Sequence, residues 1–209
     1  MKLSAPNNNY VMITATAQKG EKMETNIRIE WEGPYSMKDI GYDWHEDEYK
    51  NLSKLKKLND ESKDYGVYQV YGHHPVYGNN VLLYIGKAEQ QTFAKRLRQE
   101  AWEYNQDSQN IQFYVGRIFG DKKEKINTAE WDKMIDTAER MLIYAHRPAF
   151  NSSNIATISR DKQILKSYVG VRIFNYDSCR SLMPEISGEI WVRELEDFDG
   201  VYNADKMKD

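Results

Sequence analysis

The chain has 209 residues, of which 40% are apolar and 29% charged, so long disorder is not indicated. Its net charge of −3 excludes a uniformly basic nucleic-acid binder, although local basic patches can still bind phosphate. One cysteine, Cys179, excludes a disulfide framework and a cysteine-based zinc site. Because we find neither a signal-peptide pattern nor a run of about 18 apolar residues, we expect a cytoplasmic protein with no membrane partner.

The first predicted element is a strand, because apolar and polar residues alternate over 27–31. The chain then turns at Gly33-Pro34. A helix is expected to begin at Ser36, where Asp39 occupies the capping-box position. Residues 43–64 are polar and predict a helix followed by a loop.

The centre of the chain predicts two paired strands, a helix and a third strand. The paired strands cover residues 66–71 and 81–85, and a long connection is expected between them. The helix runs from about residue 91 to 104. The third strand covers residues 111–119.

A second helix completes a ββαβα order. It is expected to begin at Asn127, with Glu130 three residues later, and Pro148 fixes its end. Further strands are predicted in YVGVRIF, which begins at residue 168, and in SGEIWVREL, which begins at residue 187.

An acidic side chain lies beside the apolar face of the second helix. At 100° per residue, Glu139 falls between Ile135 and Ile143, whereas Arg140 points away. Burying a charge without a partner is costly. Glu139 is therefore either a carboxylate at the core boundary, paired with a Lys or Arg, or a metal ligand or catalytic acid in a cleft. The helix pattern alone favours the first interpretation.

The first helix has charged residues near its apolar face, which consists of Phe93, Leu97, Ala101 and Tyr104. Lys95 and Arg98 lie outside this face, Arg96 lies on its edge, and Glu100 lies close to its middle. Arg96 and Glu100 are four residues apart and are able to form an ion pair. Alternatively, the planar guanidinium of Arg96 reaches a phosphate.

Together these segments resemble the GIY-YIG endonuclease superfamily. GVY at 66–68 stands for the first signature, and YIG at 84–86 matches the second literally. The family's helix arginine matches Arg96, which Leu97 follows. In AERMLIYAHRPAFN, the family's metal-binding glutamate, Leu-Ile pair, proline and terminal asparagine match Glu139, Leu142-Ile143, Pro148 and Asn151. The resemblance covers residues 66 to about 154.

The resemblance implies an α+β fold with a small central, mainly antiparallel sheet flanked by helices. We expect an N-terminal extension over residues 1–64 and the nuclease core over 65–155. A β-rich C-terminal extension over 156–209 would pack on the core, so that the whole chain is one compact domain.

The resemblance also implies roles for individual residues. Tyr68 and Tyr84, which alone would be sheet aromatics, become active-site phenols, with Tyr68 as the general base. Glu139 becomes the ligand of one Mg²⁺ or Mn²⁺ ion per active site. Arg96 becomes the phosphate contact. Lys87 either contacts phosphate or lowers the pKa of a neighbouring phenol, and Asn151 orients the site or the substrate.

One position departs from the family pattern. Many members have His or Tyr four residues after the helix arginine, where this chain has Glu100. Glu100 would accept a proton, act as a second metal ligand or anchor Arg96. We favour the anchor, because an acid beside the scissile phosphate would repel it.

The function implied is metal-dependent hydrolysis of DNA phosphodiester bonds. Because only short extensions flank the core, the chain is most similar to type II restriction enzymes, and a homodimer would cut both strands. The substrate contacts predicted outside the core motifs are Lys95, Arg98, Lys122 and Lys123. The alternatives are a GIY-YIG protein that has lost catalysis and binds nucleic acid or regulates, and a member that cleaves RNA.

Overall fold

The structure is a computed structural model, and it describes residues 25–37, 39–40, 57–99, 110–120, 128–154 and 162–191. Its strands are β1 (Thr25–Ser36), β2 (Gly66–His74), β3 (Gly78–Ala88), β4 (Gln112–Phe119), β5 (Val171–Asp177) and β6 (Glu185–Ser187). Its helices are α1 (Phe93–Gln99), α2 (Ala129–His146) and α3 (Lys162–Ser167). Within the described ranges, no helix is both long enough and apolar enough to span a lipid bilayer.

The strands form one mixed sheet of six in the order β3-β2-β4-β1-β5-β6. Every neighbouring pair is antiparallel except β1 and β5, which are parallel. The α+β class and the ββαβα order of the centre are confirmed. The sheet is wider than the small one expected. Strand β1 pairs with the outer edge of β4, and the strands β5 and β6 extend the sheet beyond β1.

The β2–β3 hairpin differs from its prediction. Both strands are longer than expected, and only residues 75–77 separate them. The ring nitrogen Nδ1 of His74 accepts hydrogen bonds from the backbone N–H groups of Val76 and Tyr77, at 3.1 and 3.2 Å. The predicted long connection is therefore wrong, because these polar residues continue the strand ladder.

Two helices cover the two faces of this hairpin. The buried side of α2, which includes Ile135 and Ala138, packs in one cluster with Val67 and Ile85 of the sheet. The buried residues of α1 are Phe93, Ala94, Leu97 and Arg98. The three apolar ones pack with Tyr68 and sheet residues of the opposite face. The apolar sides predicted for residues 93–97 and for α2 are confirmed.

The ends of α2 are defined by local chemistry. The side chain of Thr128 caps the first turn by accepting a hydrogen bond from the N–H of Trp131, so the cap lies one residue after the predicted Asn127. The helix ends where Arg147 adopts a left-handed backbone, with φ of 47°, and Pro148 follows.

Two other predictions meet different outcomes. Ser36 and Asp39 exchange the expected hydrogen bonds, since the Ser36 N–H donates to Asp39 Oδ2 at 2.9 Å and the Asp39 N–H donates to Ser36 Oγ at 3.3 Å. The helix expected after them falls mostly outside the described residues. The strand predicted from Ser187 onward is wrong, because residues 188–191 are helical.

Candidate active site

The two motif tyrosines lie side by side on the α1 face of the hairpin. Tyr68 of β2 is opposite Gly86 in the strand register, and Tyr84 of β3 is opposite Val70. Residues two apart on neighbouring strands share a face, so the rings of Tyr68 and Tyr84 meet with centroids 6.1 Å apart. Tyr68 is 0% exposed and Tyr84 is half-buried. The pair therefore contacts solvent through Tyr84.

Gly86 leaves the space that both phenols occupy. A Cβ atom added at residue 86 would lie 2.5 Å from the Tyr68 hydroxyl and 2.7 Å from Cε1 of Tyr84. Any side chain at this position would displace the rings. The glycine of YIG is thus required by the tyrosine pair and not by a turn.

Asn151 holds the backbone between Tyr84 and Gly86. Its Oδ1 accepts a hydrogen bond from the N–H of Ile85, and its Nδ2 donates to the Ile85 carbonyl oxygen, each at 2.9 Å. Because β3 is at the edge of the sheet, these groups would otherwise have no strand partner. Asn151 therefore holds the position of β3 beside Tyr84. Its orienting role in a site stays a prediction.

Lys87 points to the opposite face, toward α2. Its ammonium lies 2.8 Å from Oδ1 of Asp136 and 2.5 Å from Oε2 of Glu89. Burial lowers the pKa of Lys87, but the hydrogen bonds to Asp136 and Glu89 outweigh it and the net shift is upward. Lys87 is therefore a charged group shared between two carboxylates.

Glu139 lies in this charged region on the flank of α2. It is half-buried, and burial raises its pKa from 4.5 to about 7. The nearby charges act in both directions, since Lys87 lowers the pKa and Asp136 raises it. Within the described ranges, no side chain forms a hydrogen bond or an ion pair with the Glu139 carboxylate. A carboxylate in this setting is stabilised either by a proton or by an added cation.

Arg96 joins the site through a cleft around the end of β3. This open cleft has a volume of about 480 Å³ and is lined by Lys87, Glu89, Gln90, Gln91 and Arg96. Lys87 comes from the α2 face and Arg96 from the α1 helix, so the cleft connects the two faces.

The other predicted contacts are not brought to this cleft. Lys95 forms an ion pair with Glu61, at 3.0 Å. Arg98 is only 5% exposed, so its predicted place outside the buried face is wrong. A helical projection at 100° per residue shows only the apolar pattern of the helix itself, whereas burial depends on everything that packs around the helix. Glu100, Lys122 and Lys123 lie outside the described residues.

Asp136 and Glu89 are the site residues that sequence reasoning missed. Asp136 also accepts a hydrogen bond from Arg140 Nε at 2.8 Å. Two local signals could have indicated them: Asp136 lies three residues before Glu139 on the same side of α2, and Glu89 follows Lys87 by two residues.

The donors present are compatible with a hard divalent cation. Mg²⁺ usually takes one or two carboxylates and completes its shell with water and substrate phosphate. Glu139 offers one half-buried carboxylate, and Glu89 contributes to its electrostatic environment. Within the described ranges, no group of three or more His, Cys, Asp or Glu side chains could enclose an ion.

Comparison with known proteins does not assign this site. No family model, curated protein or solved structure matches the chain.

Proposed function

We propose that this chain is a metal-dependent endonuclease that hydrolyses DNA phosphodiester bonds with restriction-type specificity. The observation that supports this proposal is the arrangement around the end of β3. Tyr68 and Tyr84 lie on the α1 face of the hairpin, and Glu139 lies near Lys87 on the α2 side. An open cleft lined by Lys87 and Arg96 connects the two sides. These are the groups that phosphodiester hydrolysis needs: a base, a metal ligand and cations for the phosphate.

The reaction is an in-line displacement at phosphorus. A water oxygen bonds to phosphorus while the bond to the 3′ oxygen breaks, and the 3′ oxygen takes a proton from solvent, which leaves a 5′-phosphate and a 3′-hydroxyl. Tyr68 accepts the water proton, assisted by Tyr84. Because Tyr68 is buried and Tyr84 is half-buried, the water approaches on the Tyr84 side.

Arg96 offsets the negative charge that grows on the phosphate oxygens. Arg96 lines the open cleft, where a phosphate is able to approach. Lys87 is shared between Asp136 and Glu89, so much of its charge is already compensated. Its role is therefore to position these acids beside Glu139 and to supply the second cationic wall of the cleft.

Glu139 would hold the divalent ion. When bound, Mg²⁺ or Mn²⁺ would supply a Lewis acid that polarises a phosphate oxygen and stabilises the leaving 3′ oxygen. Burial raises the pKa of Glu139 to about 7, because it disfavours the charged carboxylate, and an added cation would offset that cost. Binding of the ion would displace the proton that Glu139 otherwise retains.

The test is cleavage of supercoiled plasmid DNA with Mg²⁺, with and without EDTA. Glu139→Ala is the loss variant. Glu130→Ala is the matched control, because it removes an exposed acid from the first turn of the same helix. We expect discrete metal-dependent fragments from the wild type and the control, and none from Glu139→Ala. Folded wild-type protein that cuts no DNA would refute the proposal, and cleavage of RNA alone would reassign the substrate.

A further inference from the structure

A second cleft lies at the turn end of the β2–β3 hairpin, away from Tyr68 and Glu139. It has a volume of about 510 Å³. We call it the amide-rich cleft, because amides predominate among its polar residues, which are Ser36, His73, Asn79, Asn80, Asn110, Gln112 and Arg180. No carboxylate lines it in the part of the chain that the structure describes. It is therefore suited to a ligand with both hydrogen-bond donors and acceptors, and not to a metal ion.

Arg180 is held in a fixed orientation at this cleft. Its guanidinium lies over the rings of Tyr71 and Tyr114, 4.8 and 5.2 Å from their centroids. Its Nη2 donates a hydrogen bond to Asn80 Oδ1 at 2.5 Å. Among the described residues, Nε and Nη1 of Arg180 have no acceptor. An exposed arginine that is stacked on two rings and still has donors to use is prepared to bind a ligand.

The amides beside Arg180 also have unused hydrogen-bonding capacity. Asn79 Oδ1 contacts Nδ1 of His73 at 2.8 Å, and Asn80 Oδ1 accepts from Arg180. Neither amide nitrogen donates a hydrogen bond to any residue in the described ranges. Asn79, Asn80 and Gln112 are all exposed. Asn80 and Arg180 both have left-handed backbones, with φ of 62° and 60°. This conformation costs energy, and both residues of the hydrogen-bonded pair adopt it.

We propose that the amide-rich cleft reads base edges of duplex DNA beside the cleavage site. Arginine bonds to the O6 and N7 atoms of guanine, and asparagine or glutamine bonds to the N6 and N7 atoms of adenine. The cleft presents both residue types next to each other. This inference rests on the proposed function, and it places sequence recognition where the turn end of the β2–β3 hairpin meets Arg180.

The distance to the catalytic candidates suits this role. Asn80 precedes Tyr84 by four residues on β3, which corresponds to about 13 Å at 3.3 Å per residue. Base pairs are stacked at about 3.4 Å along duplex DNA. The cleft would therefore contact bases about four pairs from the scissile phosphate.

The test is selection of bound duplexes from a randomised DNA pool by the Glu139→Ala protein, which binds without cutting. The same selection is repeated with Arg180→Lys or Asn79→Ala added. Arg180→Lys keeps the charge but removes the planar fork. Arg172→Ala is the control, because it removes a partly exposed arginine of β5 that does not line the cleft. A parallel selection uses an RNA pool, and thermal unfolding verifies that every protein is folded.

We expect the parent protein to enrich one short motif that contains guanine. Arg180→Lys should remove the preference at one guanine, and Asn79→Ala should remove it at a different position. Affinity for duplex of unrelated sequence should change by less than about threefold, because backbone contacts dominate that binding. Arg172→Ala should enrich the parent motif.

Three results would overturn the inference: an unchanged motif with both cleft variants, no motif with the parent, or a motif from the RNA pool alone. The nuclease proposal is tested separately by plasmid cleavage with the wild type. A wild type that cuts DNA while the cleft variants keep the parent motif would refute only the cleft. A motif lost in Arg180→Lys with no DNA cleavage by the wild type would refute only the nuclease proposal.

Discussion

Replacing Asn151 tests whether a single buried amide positions the edge strand of the candidate active site. Asn151 is 7% exposed, and Ile85, whose N–H and carbonyl it bonds, is 0% exposed. Asn151→Ala leaves both backbone groups buried and unpaired, at about 1–3 kcal/mol each, so unfolding should become easier by about 2–6 kcal/mol. A loss of about 3 kcal/mol lowers the Tm of a domain of this size by about 6–12 °C.

Urea unfolding of wild type, Asn151→Ala, Asn151→Asp and Ser152→Ala measures this loss. Aspartate keeps an acceptor for the Ile85 N–H, but its ionised form has no donor for the Ile85 oxygen. The difference in free energy of unfolding between Asn151→Asp and Asn151→Ala should therefore favour Asn151→Asp more at about pH 5 than at about pH 8. The exposed neighbour Ser152 is the control, and its replacement should change the free energy of unfolding by less than about 0.5 kcal/mol. If Asn151→Ala unfolds like this control, the two hydrogen bonds do not hold β3.

Three further predictions concern the site. Without metal, Glu139→Gln should gain about 3 kcal/mol of stability relative to the wild type between about pH 4.5 and pH 7, because the native Glu139 retains a proton that the unfolded chain has lost. Burial lowers the pKa of His146 to about 4, which makes stability fall as pH drops below 6.5, but the wild type and Glu139→Gln share this effect. If their free energies of unfolding change with pH in parallel, the burial of Glu139 is contradicted. Gly86→Ala should lower the free energy of unfolding by about 1–3 kcal/mol through overpacking and slow plasmid cleavage about 10²-fold by moving both phenols; a wild-type cleavage rate would show that the tyrosine geometry is not needed. Tyr68→Phe should slow cleavage about 10²- to 10⁴-fold while DNA binding in gel shifts is unchanged. Tyr84→Phe, measured in the same assay, shows which phenol accepts the proton. Full activity in both variants would refute a tyrosine base.

Local pattern was enough to predict the elements of the central part of the chain. Strand alternation and helical period depend only on neighbouring residues, and they predicted β2, β3, α1, β4 and α2 in order. The same period predicted that Glu139 lies at the boundary of the apolar face, and it is half-buried there. The length of the hairpin turn was not predictable in this way, because His74 closes it with a side-chain contact.

The sequence by itself determined which side of each strand or helix is apolar, because that property depends only on the spacing of apolar side chains along one element. Only the tertiary structure decided which elements meet. It placed β1 between β4 and a parallel β5, brought Lys87 to Asp136 of α2, and buried Arg98. These contacts join residues that are distant in the chain, and they depend on the paths of several elements at once, which no local spacing records.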